Sequence, residues 1–316
     1  MIEISPISDL PDWLKNFLLS DLGAKNDPDW SKAMNNLSNT HSDNRIYLGT
    51  YFPRTFLEID FIMCKLSNET NINEINDFGQ NHSISILSVG CGTGGDVSGL
   101  IFHLNQNYKI SEFTVTLVDG NTDALALCCT ILKKLEEMQK ITIKIIQTVS
   151  KAITTAEDFS MIASKYCIGN AYDFIITSKF LNEIINQVKT PYSGFVTEFS
   201  PFLGDKGLMI IIDTSNSIKP QEWIPEIMNN DFNENINNQC SVATILPVSC
   251  CGDNCTFHNC YTQFQNKGSS LNYCKNSKFT FRVFSKRKLF DSIRFKNFEK
   301  NSYIINYAKN TTCPRM

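Results

Sequence analysis

A glycine-rich turn between a predicted strand and a predicted helix is the feature that most constrains the fold. Residues 84–100 read ISILSVGCGTGGDVSGL, so an apolar run meets four glycines within residues 90–95 before a helical pattern begins. Glycine permits a tight turn and a close backbone approach, and the following helix N-terminus favours polar or anionic ligand groups. The run also satisfies G-x-G-x-x-G, so it predicts a nucleotide-containing ligand.

An acidic residue ends the second predicted strand. The segment FTVTLVD, residues 113–119, closes on Asp119. A carboxylate at this point of a nucleotide-binding sheet can accept hydrogen bonds from ribose hydroxyls. Asp119 and the glycine turn together fit either NAD or S-adenosylmethionine.

Strand and helix patterns alternate through the middle of the chain, which predicts an α/β fold around a parallel sheet. The predicted strands are 84–90, 113–119, 141–149, 172–178 and 207–215, and the helices are about 95–106, 122–138, one near Lys179, and 192–203. Two later strand patterns, 278–289 and 302–308, have a connection too short for a crossover helix. We expect them to form an antiparallel pair that closes the sheet.

The residues before the glycine strand have a helical pattern. In RIYLGTYFPRTFLEIDFIMCKL, residues 45–66, apolar side chains recur every three or four positions, which predicts an amphipathic helix interrupted near Pro53. Residues 67–82 are polar and read as a linker. The sequence therefore predicts a helical segment ahead of the sheet.

Composition limits the class of protein. A hydrophobic fraction of 42% and a charged fraction of 19% are typical of a globular chain, and a net charge of −3 argues against a strongly basic nucleic-acid coat. No run reaches the roughly 18 apolar residues that a membrane span needs, so no membrane partner is expected. The N-terminus lacks the basic region of a secretory signal. These features predict a cytoplasmic location, with a mitochondrial one left open.

Six of the twelve cysteines crowd into one region, residues 240–274. Thiolates that converge from a short segment can bind Zn²⁺ or hold an iron–sulfur cluster. The spacing matches neither a regular C-x2-C ribbon nor a ferredoxin run, so it does not identify the metal. The predicted ligands are Cys251, Cys255, Cys260 and Cys274, with His258 as a substitute. The alternative is that these cysteines fill a small core or form adventitious disulfides.

The position of the glycine strand separates the two cofactors. NAD domains of this kind usually open near the start of a chain, whereas this strand begins at residue 84 and the sheet ends in the late pair. The run VGCGTGGD resembles the first motif of class I S-adenosylmethionine-dependent methyltransferases, and LVDGNTDAL resembles their ribose-binding motif. Members commonly carry an acid where this chain has Ser88. The resemblance implies cofactor contacts from Gly90, Cys91, Gly92, Thr93, Gly94, Asp119 and Ser178.

The candidate catalytic residues follow the fourth strand. In TSKFLNEI, residues 177–184, the polar side chains nearest the expected methyl group are those of Ser178, Lys179, Asn182 and Glu183. The D/N-P-P-Y/F run of base amino-group methylation is absent, so no catalytic base is assigned. Lys179, Asn182 and Glu183 stay candidates, since methyl transfer needs chiefly in-line positioning. Asp213, at the end of the fifth strand, is a further acid of the expected crevice.

Five longer segments resemble one methyltransferase family. They are YLGTYFPRTFLEIDFIMCKL, YDFIITSKFLNEI, GLMIIIDTSNSIKPQEWIPEIMNNDF, LPVSCCGDNCTFHNCYTQF and KFTFRVFSKRKL. Together they are similar to segments of the mitochondrial small-ribosomal-subunit methyltransferase-like family, which also has bacterial members. The resemblance spans about residues 45–290. It implies an iron–sulfur cluster on the cysteines and association with RNA or the small ribosomal subunit. The family's Cys-Pro pairs are not reproduced.

The sequence thus predicts a Rossmann-like class I methyltransferase with a helical extension (1–82), a cofactor-binding domain (83–239), a cysteine-rich metal-binding insertion (240–276) and C-terminal strands that complete the sheet (277–316). The expected function is methyl transfer from S-adenosylmethionine to RNA, most specifically ribosomal RNA. One alternative is a non-catalytic ribosome-assembly or RNA-binding factor that retains the cofactor pocket. The other is a methyltransferase acting on a small molecule or a protein.

Overall fold

The computed structural model describes residues 10–25, 27, 36–76, 83–215, 217–219, 222–236, 241–246, 263–265, 278–295 and 304–305. The cysteines predicted to bind a metal, and His258, lie outside the described residues. No helix among those that are described has the length and apolar character needed to cross a membrane.

The described residues before the sheet form α1 (Asp12–Asn16, continued by a π turn, Phe17–Asp21), α2 (His41–Thr50), α3 (Phe52–Glu69) and α4 (Ile72–Asn76). A capping box begins α2, because the Thr40 side chain accepts from the Asp43 backbone and the Asp43 side chain accepts from the Thr40 backbone. Pro53 lies in the first turn of α3, where a missing backbone N–H costs no helical hydrogen bond. The predicted interruption near Pro53 is confirmed and falls at Tyr51.

The rest of the described chain alternates strands and helices. The elements are β1 (Ser83–Val89), α5 (Gly95–Tyr108), β2 (Glu112–Asp119), α6 (Thr122–Gln139), β3 (Thr142–Ser150), α7 (Ala156–Ile162), β4 (Tyr172–Ser178), α8 (Pro191–Phe199), β5 (Leu203–Thr214), β6 (Ser217–Lys219), β7 (Glu222–Trp223), α9 (Ile224–Asn235), β8 (Val242–Leu246), β9 (Gln263–Gln265), β10 (Lys278–Lys286), α10 (Arg287–Phe290) and β11 (Ile304–Ile305). The helix predicted near Lys179 is a short 3₁₀ helix, Leu181–Ile184.

The main sheet has the strand order β11-β9-β10-β5-β4-β1-β2-β3, with β8 also paired to β10. Strands β1 to β5 are parallel, and β10 runs antiparallel to β5. The order β3-β2-β1-β4-β5 followed by an antiparallel strand is that of a Rossmann-like methyltransferase sheet, so the predicted fold class is confirmed. The late pairing differs in detail: β11 is antiparallel to β9, which lies between it and β10.

Two apolar layers cover the faces of the sheet. On one face α3, α5 and α6 pack against alternate residues of the strands, such as Ile84 and Ile86 of β1. On the other face α7, α8 and α9 pack against the opposite set, including Leu87 and Val89. A third cluster joins α1, α2 and the start of α3 to α6. The parallel strands are therefore buried on both faces, as their apolar sequences require.

A close contact between α3 and α5 yields the first testable prediction. A Cβ atom on Gly99 of α5 would lie 2.4 Å from Ile59 Cγ2 and 2.6 Å from the Phe56 carbonyl oxygen. We expect Gly99→Ala to lower the free energy of unfolding by about 1–3 kcal/mol, since an overpacked core must move backbone. Urea unfolding followed by circular dichroism measures this change.

Gly194→Ala in α8 is the matched control. A Cβ atom there would lie 3.8 Å from the Phe159 ring, an ordinary van der Waals distance. Alanine is the better helix former, so this variant should be as stable as the parent protein or more stable. Equal stability losses in the two variants would contradict the close packing of α3 on α5.

Candidate functional site

A cavity of about 230 Å³ lies at the carboxyl ends of the central parallel strands. Its wall includes residues that follow or end β1, β2, β3 and β4, which is where open α/β sheets bind their ligands. The lining residues are Leu37, Ser38, Asn39, Asn44, Tyr47, Gly90, Gly92, Asp119, Gly120, Asn121, Ala124, Lys151, Ile153, Thr154, Ser178, Lys179, Phe180, Glu183, Ile184 and Gln187. Both regions that the sequence singled out, the glycine turn and the end of the fourth strand, therefore meet here.

Two glycines of the turn after β1 form part of the cavity wall. Gly90 and Gly92 both have left-handed backbone conformations, with φ of +67° and +50°. A Cβ on Gly90 would lie 2.2 Å from the Phe180 ring, whereas one on Gly92 would lie 3.6 Å from Tyr47. The missing side chain of Gly92 thus leaves room beside the cavity. Gly90 is required for packing as well as for the turn.

The other residues of the glycine turn lie behind the cavity wall. Cys91, Thr93 and Gly94 were predicted to contact the cofactor, but they do not line the cavity. A Cβ on Gly94 would lie 2.4 Å from Cys128 Sγ, and one on Gly95 would lie 2.7 Å from the Phe52 carbonyl oxygen. These two glycines therefore permit the close packing of α6 and α3 against the turn.

Asp119 links the ends of β1 and β2. Its Oδ2 accepts a hydrogen bond of 2.7 Å from the Gly92 backbone, and its Oδ1 accepts one of 2.8 Å from the Asn121 backbone. Burial raises the pKa of Asp119, and these backbone donors oppose the rise. Each carboxylate oxygen can accept more than one hydrogen bond, so Asp119 can also bind hydroxyl groups of a ligand in the cavity.

Ser88, which stands where members of the resembling class commonly carry an acid, contacts an acid of the following helix. The Ser88 hydroxyl donates a hydrogen bond of 2.9 Å to Asp96 Oδ2, and the Val97 backbone donates to Asp96 Oδ1 at 2.7 Å. Burial raises the pKa of Asp96 to about 7. Sequence reasoning missed this pair, although Asp96 stands inside the quoted run VGCGTGGD. The pair lies beneath the turn and does not line the cavity.

The helices before the sheet complete the cavity. Asn44 and Tyr47 of α2 line it, and the Asn44 side chain donates to the Asn121 side chain at 3.4 Å. The Asn121 amide in turn donates to the Asn39 carbonyl at 3.2 Å. Burial raises the pKa of Tyr47, and the charges of Glu183 and Asp119 raise it further. The phenol therefore lies near both carboxylates, in a position that the sequence patterns did not indicate.

Three of the four polar candidates after β4 line the cavity. They are Ser178, Lys179 and Glu183, while Asn182 does not line it. The Asn182 backbone donates to Asp213 Oδ2 at 3.0 Å, so this hydrogen bond ties the 3₁₀ helix after β4 to the end of β5. The Ser178 hydroxyl is buried without a hydrogen-bond partner among the described residues. Because Ser178 lines the cavity, its hydroxyl is available to pair with a polar group of a ligand.

Asp213 is a structural acid. It also accepts hydrogen bonds from the Tyr192 hydroxyl at 2.8 Å and the Thr214 backbone at 2.7 Å. Burial raises its pKa to about 7, against the lowering effect of these donors. Asp213 does not line the cavity, so it supports β4 and β5 from within the core.

Within the described part of the chain, one group of side chains could hold a metal ion, and it is not the predicted cysteine site. The donor atoms of Asp60, Cys64 and His103 lie within 4.8 Å of one another, and His103 Nδ1 is 2.7 Å from Asp60 Oδ1. This group lies on α3 and α5 and does not line the cavity. The cysteines of the predicted metal site belong to the residues outside the description, so that ligand set stays a prediction.

The basic residues between Arg282 and Lys288 are divided by the fold. Arg282 is buried and donates to the Phe281 carbonyl at 2.7 Å and to the Asn229 side chain, so it is not available to phosphates. Arg287 and Lys288 are exposed. They follow the end of β10 that pairs with the beginning of β5, at the edge opposite the cavity. This run therefore does not extend the cavity surface.

Comparison with known proteins gives structural matches only. No protein-family model and no curated protein match the chain. Solved structures that match include an S-adenosylmethionine-dependent methyltransferase from Clostridium acetobutylicum ATCC 824 (12% identity, 74% of this chain and 91% of that chain, TM-score 0.37). Others are TrmN from Thermus thermophilus (11%, 68% and 47%, 0.37) and magnesium protoporphyrin IX methyltransferase from Synechocystis PCC 6803 with bound S-adenosylmethionine (10%, 90% and 99%, 0.38). At such low identities and TM-scores, the function has to be argued from the strand order and the cavity of this chain.

Proposed function

We propose that this protein is a methyltransferase that takes its methyl group from S-adenosylmethionine. The observation that carries the proposal is the cavity at the ends of β1, β2 and β4, where Gly92, Asp119 and the unpaired Ser178 hydroxyl meet. A glycine turn after the first strand and an acid at the end of the second suit a ligand that contains a ribose, and this donor contains one. The strand order β3-β2-β1-β4-β5 with an antiparallel neighbour supports the same assignment.

The lining residues fit the parts of this donor. Asp119 would accept hydrogen bonds from the ribose hydroxyls, and the space beside Gly92 would let the donor approach the backbone. The apolar side chains of Leu37 and Ile153, with Ala124, would surround the adenine base. The Ser178 hydroxyl would pair with a polar group of the donor. Each of these residues would contribute to binding, and none needs to change its protonation state.

Methyl transfer from a sulfonium requires the protein chiefly to bind and align the two reactants. S-adenosylmethionine supplies a methyl group on a sulfonium sulfur; the acceptor's lone pair forms the new bond while the sulfur–methyl bond breaks and leaves its electron pair on sulfur. The chain would bind both partners in line and exclude water. Glu183 lines the cavity and, with Asp119 bound to the ribose, would be the carboxylate that receives a proton if the acceptor must lose one.

RNA is the acceptor class that we propose. Its support is the resemblance of residues 45–290 to a family associated with the small ribosomal subunit. The exposed Arg287 and Lys288 lie away from the cavity and add no support. A non-catalytic assembly factor that only binds the donor is the second candidate, favoured by the absence of a recognisable catalytic motif. A methyltransferase acting on a small molecule or a protein is the third candidate. It is favoured because α2 forms part of the cavity wall and reduces the space for a large acceptor.

One experiment distinguishes these candidates. Anaerobically purified protein is incubated with methyl-labelled S-adenosylmethionine and an extract of cells that lack the protein, and the RNA, protein and small-molecule fractions are counted separately. Label in RNA supports the proposal. Label in another fraction keeps the methyltransferase and changes its acceptor. Donor binding without label in any fraction supports the assembly factor, and a failure to bind the donor contradicts all three.

The cysteine region gives a second testable prediction. If Cys255 and Cys260 bind a metal or a cluster, Cys255→Ser and Cys260→Ser should each lose metal content and thermal stability together, because metal binding is coupled to folding. Metal analysis of anaerobically purified protein measures the first effect and a melting curve the second. Cys129→Ser, a partly buried cysteine of α6, is the control and should keep the full metal content. Unchanged metal in both variants would refute this ligand assignment.

A further inference from the structure

A buried ion pair joins the helical segment to the cavity. Lys179 Nζ lies 2.7 Å from Glu58 Oε2 and 3.0 Å from Oε1, and the two residues are 121 positions apart in the chain. Their side chains are only 9% and 2% exposed. Glu58 belongs to α3, whereas Lys179 directly follows β4 and lines the cavity.

Stability alone does not account for this pair. Taking two charges out of water costs free energy, and their attraction often does no more than offset this cost. A protein with apolar side chains of similar size in place of a buried ion pair is frequently as stable or more stable. A buried pair beside a ligand cavity is therefore better explained by a role in that cavity. Glu58 itself does not line the cavity, so any such role must be exerted through Lys179.

The backbone of Lys179 points to the same conclusion. Three described non-glycine residues have positive φ: Lys109, Lys140 and Lys179. The first two are the C-caps of α5 and α6, where a left-handed residue is ordinary. Lys179 caps no helix; its φ is +54°, and its backbone N–H donates to the Ile212 carbonyl at 2.8 Å. Left-handed strain outside a cap is typical of functional sites.

The charges around Lys179 define what its ammonium group can do. Glu58 is its ion-pair partner, and the charge of Lys179 also lowers the pKa of Asp213, whose oxygens already accept from Tyr192 and two backbone groups. An ammonium group donates hydrogen bonds and accepts none. Lys179 therefore suits the role of hydrogen-bond donor rather than that of catalytic base. Two of its three hydrogens can serve Glu58, which leaves one for a ligand.

We propose that Glu58 is a positioning residue for methyl transfer: it holds the Lys179 ammonium at the cavity wall, where Lys179 donates to a negatively charged or carbonyl oxygen next to the atom that is methylated. The inference rests on the proposed function and adds to it the chemistry of the acceptor. In RNA the oxygen would belong to a base carbonyl or a phosphate beside the reacting atom. Lys179 would orient this acceptor and would not remove a proton from it.

The test replaces the pair by apolar side chains. Glu58→Met/Lys179→Met keeps similar volume without leaving either charge unpaired, so it should fold as the parent does. Donor affinity, measured by equilibrium dialysis, should stay within about 3-fold because Asp119 and the glycine turn are untouched. Transfer to total RNA from cells that lack the protein should fall at least about 100-fold in kcat/KM, the loss expected when an acceptor is no longer oriented.

Two further variants separate positioning from structure. Glu58→Gln keeps one acceptor oxygen for the lysine but removes the paired charge. Assayed at a temperature where its circular dichroism equals that of the parent, it should lower kcat/KM for RNA nearly as much as the double variant, because residues that act as a unit are not additive. Glu69→Gln removes an ion-pair partner of Lys65 on the same helix, away from the cavity, and should change neither donor affinity nor transfer.

The outcomes are distinguishable from those for the proposed function. A folded double variant that binds the donor and transfers methyl groups at the parental rate would overturn the role of Glu58 and leave the methyltransferase standing. Parental protein that binds the donor and labels no RNA would overturn the RNA methyltransferase, and this inference with it. A selective loss of transfer in the variants supports both.

Discussion

Replacing Asp119 by Asn should weaken S-adenosylmethionine binding about 100-fold or more. Hydrogen bonds to a charged group contribute about 1.5–3 kcal/mol each, and a change of 1.4 kcal/mol corresponds to about a factor of ten in affinity. Asparagine keeps the size of the side chain but loses the charge and one acceptor oxygen. Because Asp119 also accepts from Gly92 and Asn121, the variant loosens the glycine turn as well. Equilibrium dialysis with labelled donor measures the effect.

A second ligand distinguishes ribose recognition from loss of the turn. The 2′-deoxy analogue of S-adenosylmethionine lacks one of the hydroxyls that Asp119 would bind. If the contact is direct, the losses of binding free energy caused by Asp119→Asn and by the analogue should not add. If the two effects are independent, these losses should add. Asp123→Asn, an exposed change in the first turn of α6, is the control and should bind both ligands as the parent does. Fully additive losses would remove Asp119 from the ribose site.

The sheet was predictable because each of its parts has a local signal. The apolar runs that became β1, β2, β4 and β5 are nearly continuous, as fully buried parallel strands require, and turns with glycine or polar residues separate them. Gly90, Gly92 and Asp119 could be placed at the cavity because each stands at a strand end, and parallel strands bring their carboxyl ends to one edge. Here sequence position alone determines spatial position.

The other half of the cavity has no such signal. Tyr47 and Asn44 reach it because α2 folds back onto the sheet, and Glu58 reaches Lys179 across 121 residues. Contacts between distant helices depend on packing that a single sequence does not encode as a motif. The Ser88–Asp96 pair illustrates the same point at short range: a hydrogen bond joins β1 to an acid of α5, and no motif indicated this contact. An amphipathic helix pattern tells which face is buried and leaves its polar contacts undetermined.

Two buried acids should make the protein more stable at pH 5.5 than at pH 8. Burial raises the pKa of Asp96 and of Asp213 to about 7, from an ordinary value of 3.8. The folded state then keeps protons that the unfolded state releases between about pH 4 and pH 7. The stabilisation is fully present below the unfolded pKa and is lost as pH rises through the folded pKa. About 1.5 units lie between pH 5.5 and the folded pKa of about 7, so each acid contributes at most about 2 kcal/mol to the difference between the two pH values.

Asp96→Asn should remove one of the two contributions. The asparagine oxygen can accept from the Val97 backbone, and its amide can donate to the Ser88 hydroxyl, which can act as acceptor or donor. We therefore expect the variant to fold, to lose up to half of the difference in unfolding free energy between pH 5.5 and pH 8, and to exceed the parent's stability at pH 8. Urea titrations at both pH values measure this, with Asp123→Asn as the exposed control. An unaltered pH dependence in Asp96→Asn would mean that Asp96 is already ionised in the folded protein at pH 5.5, with its charge stabilised by the Val97 and Ser88 donors.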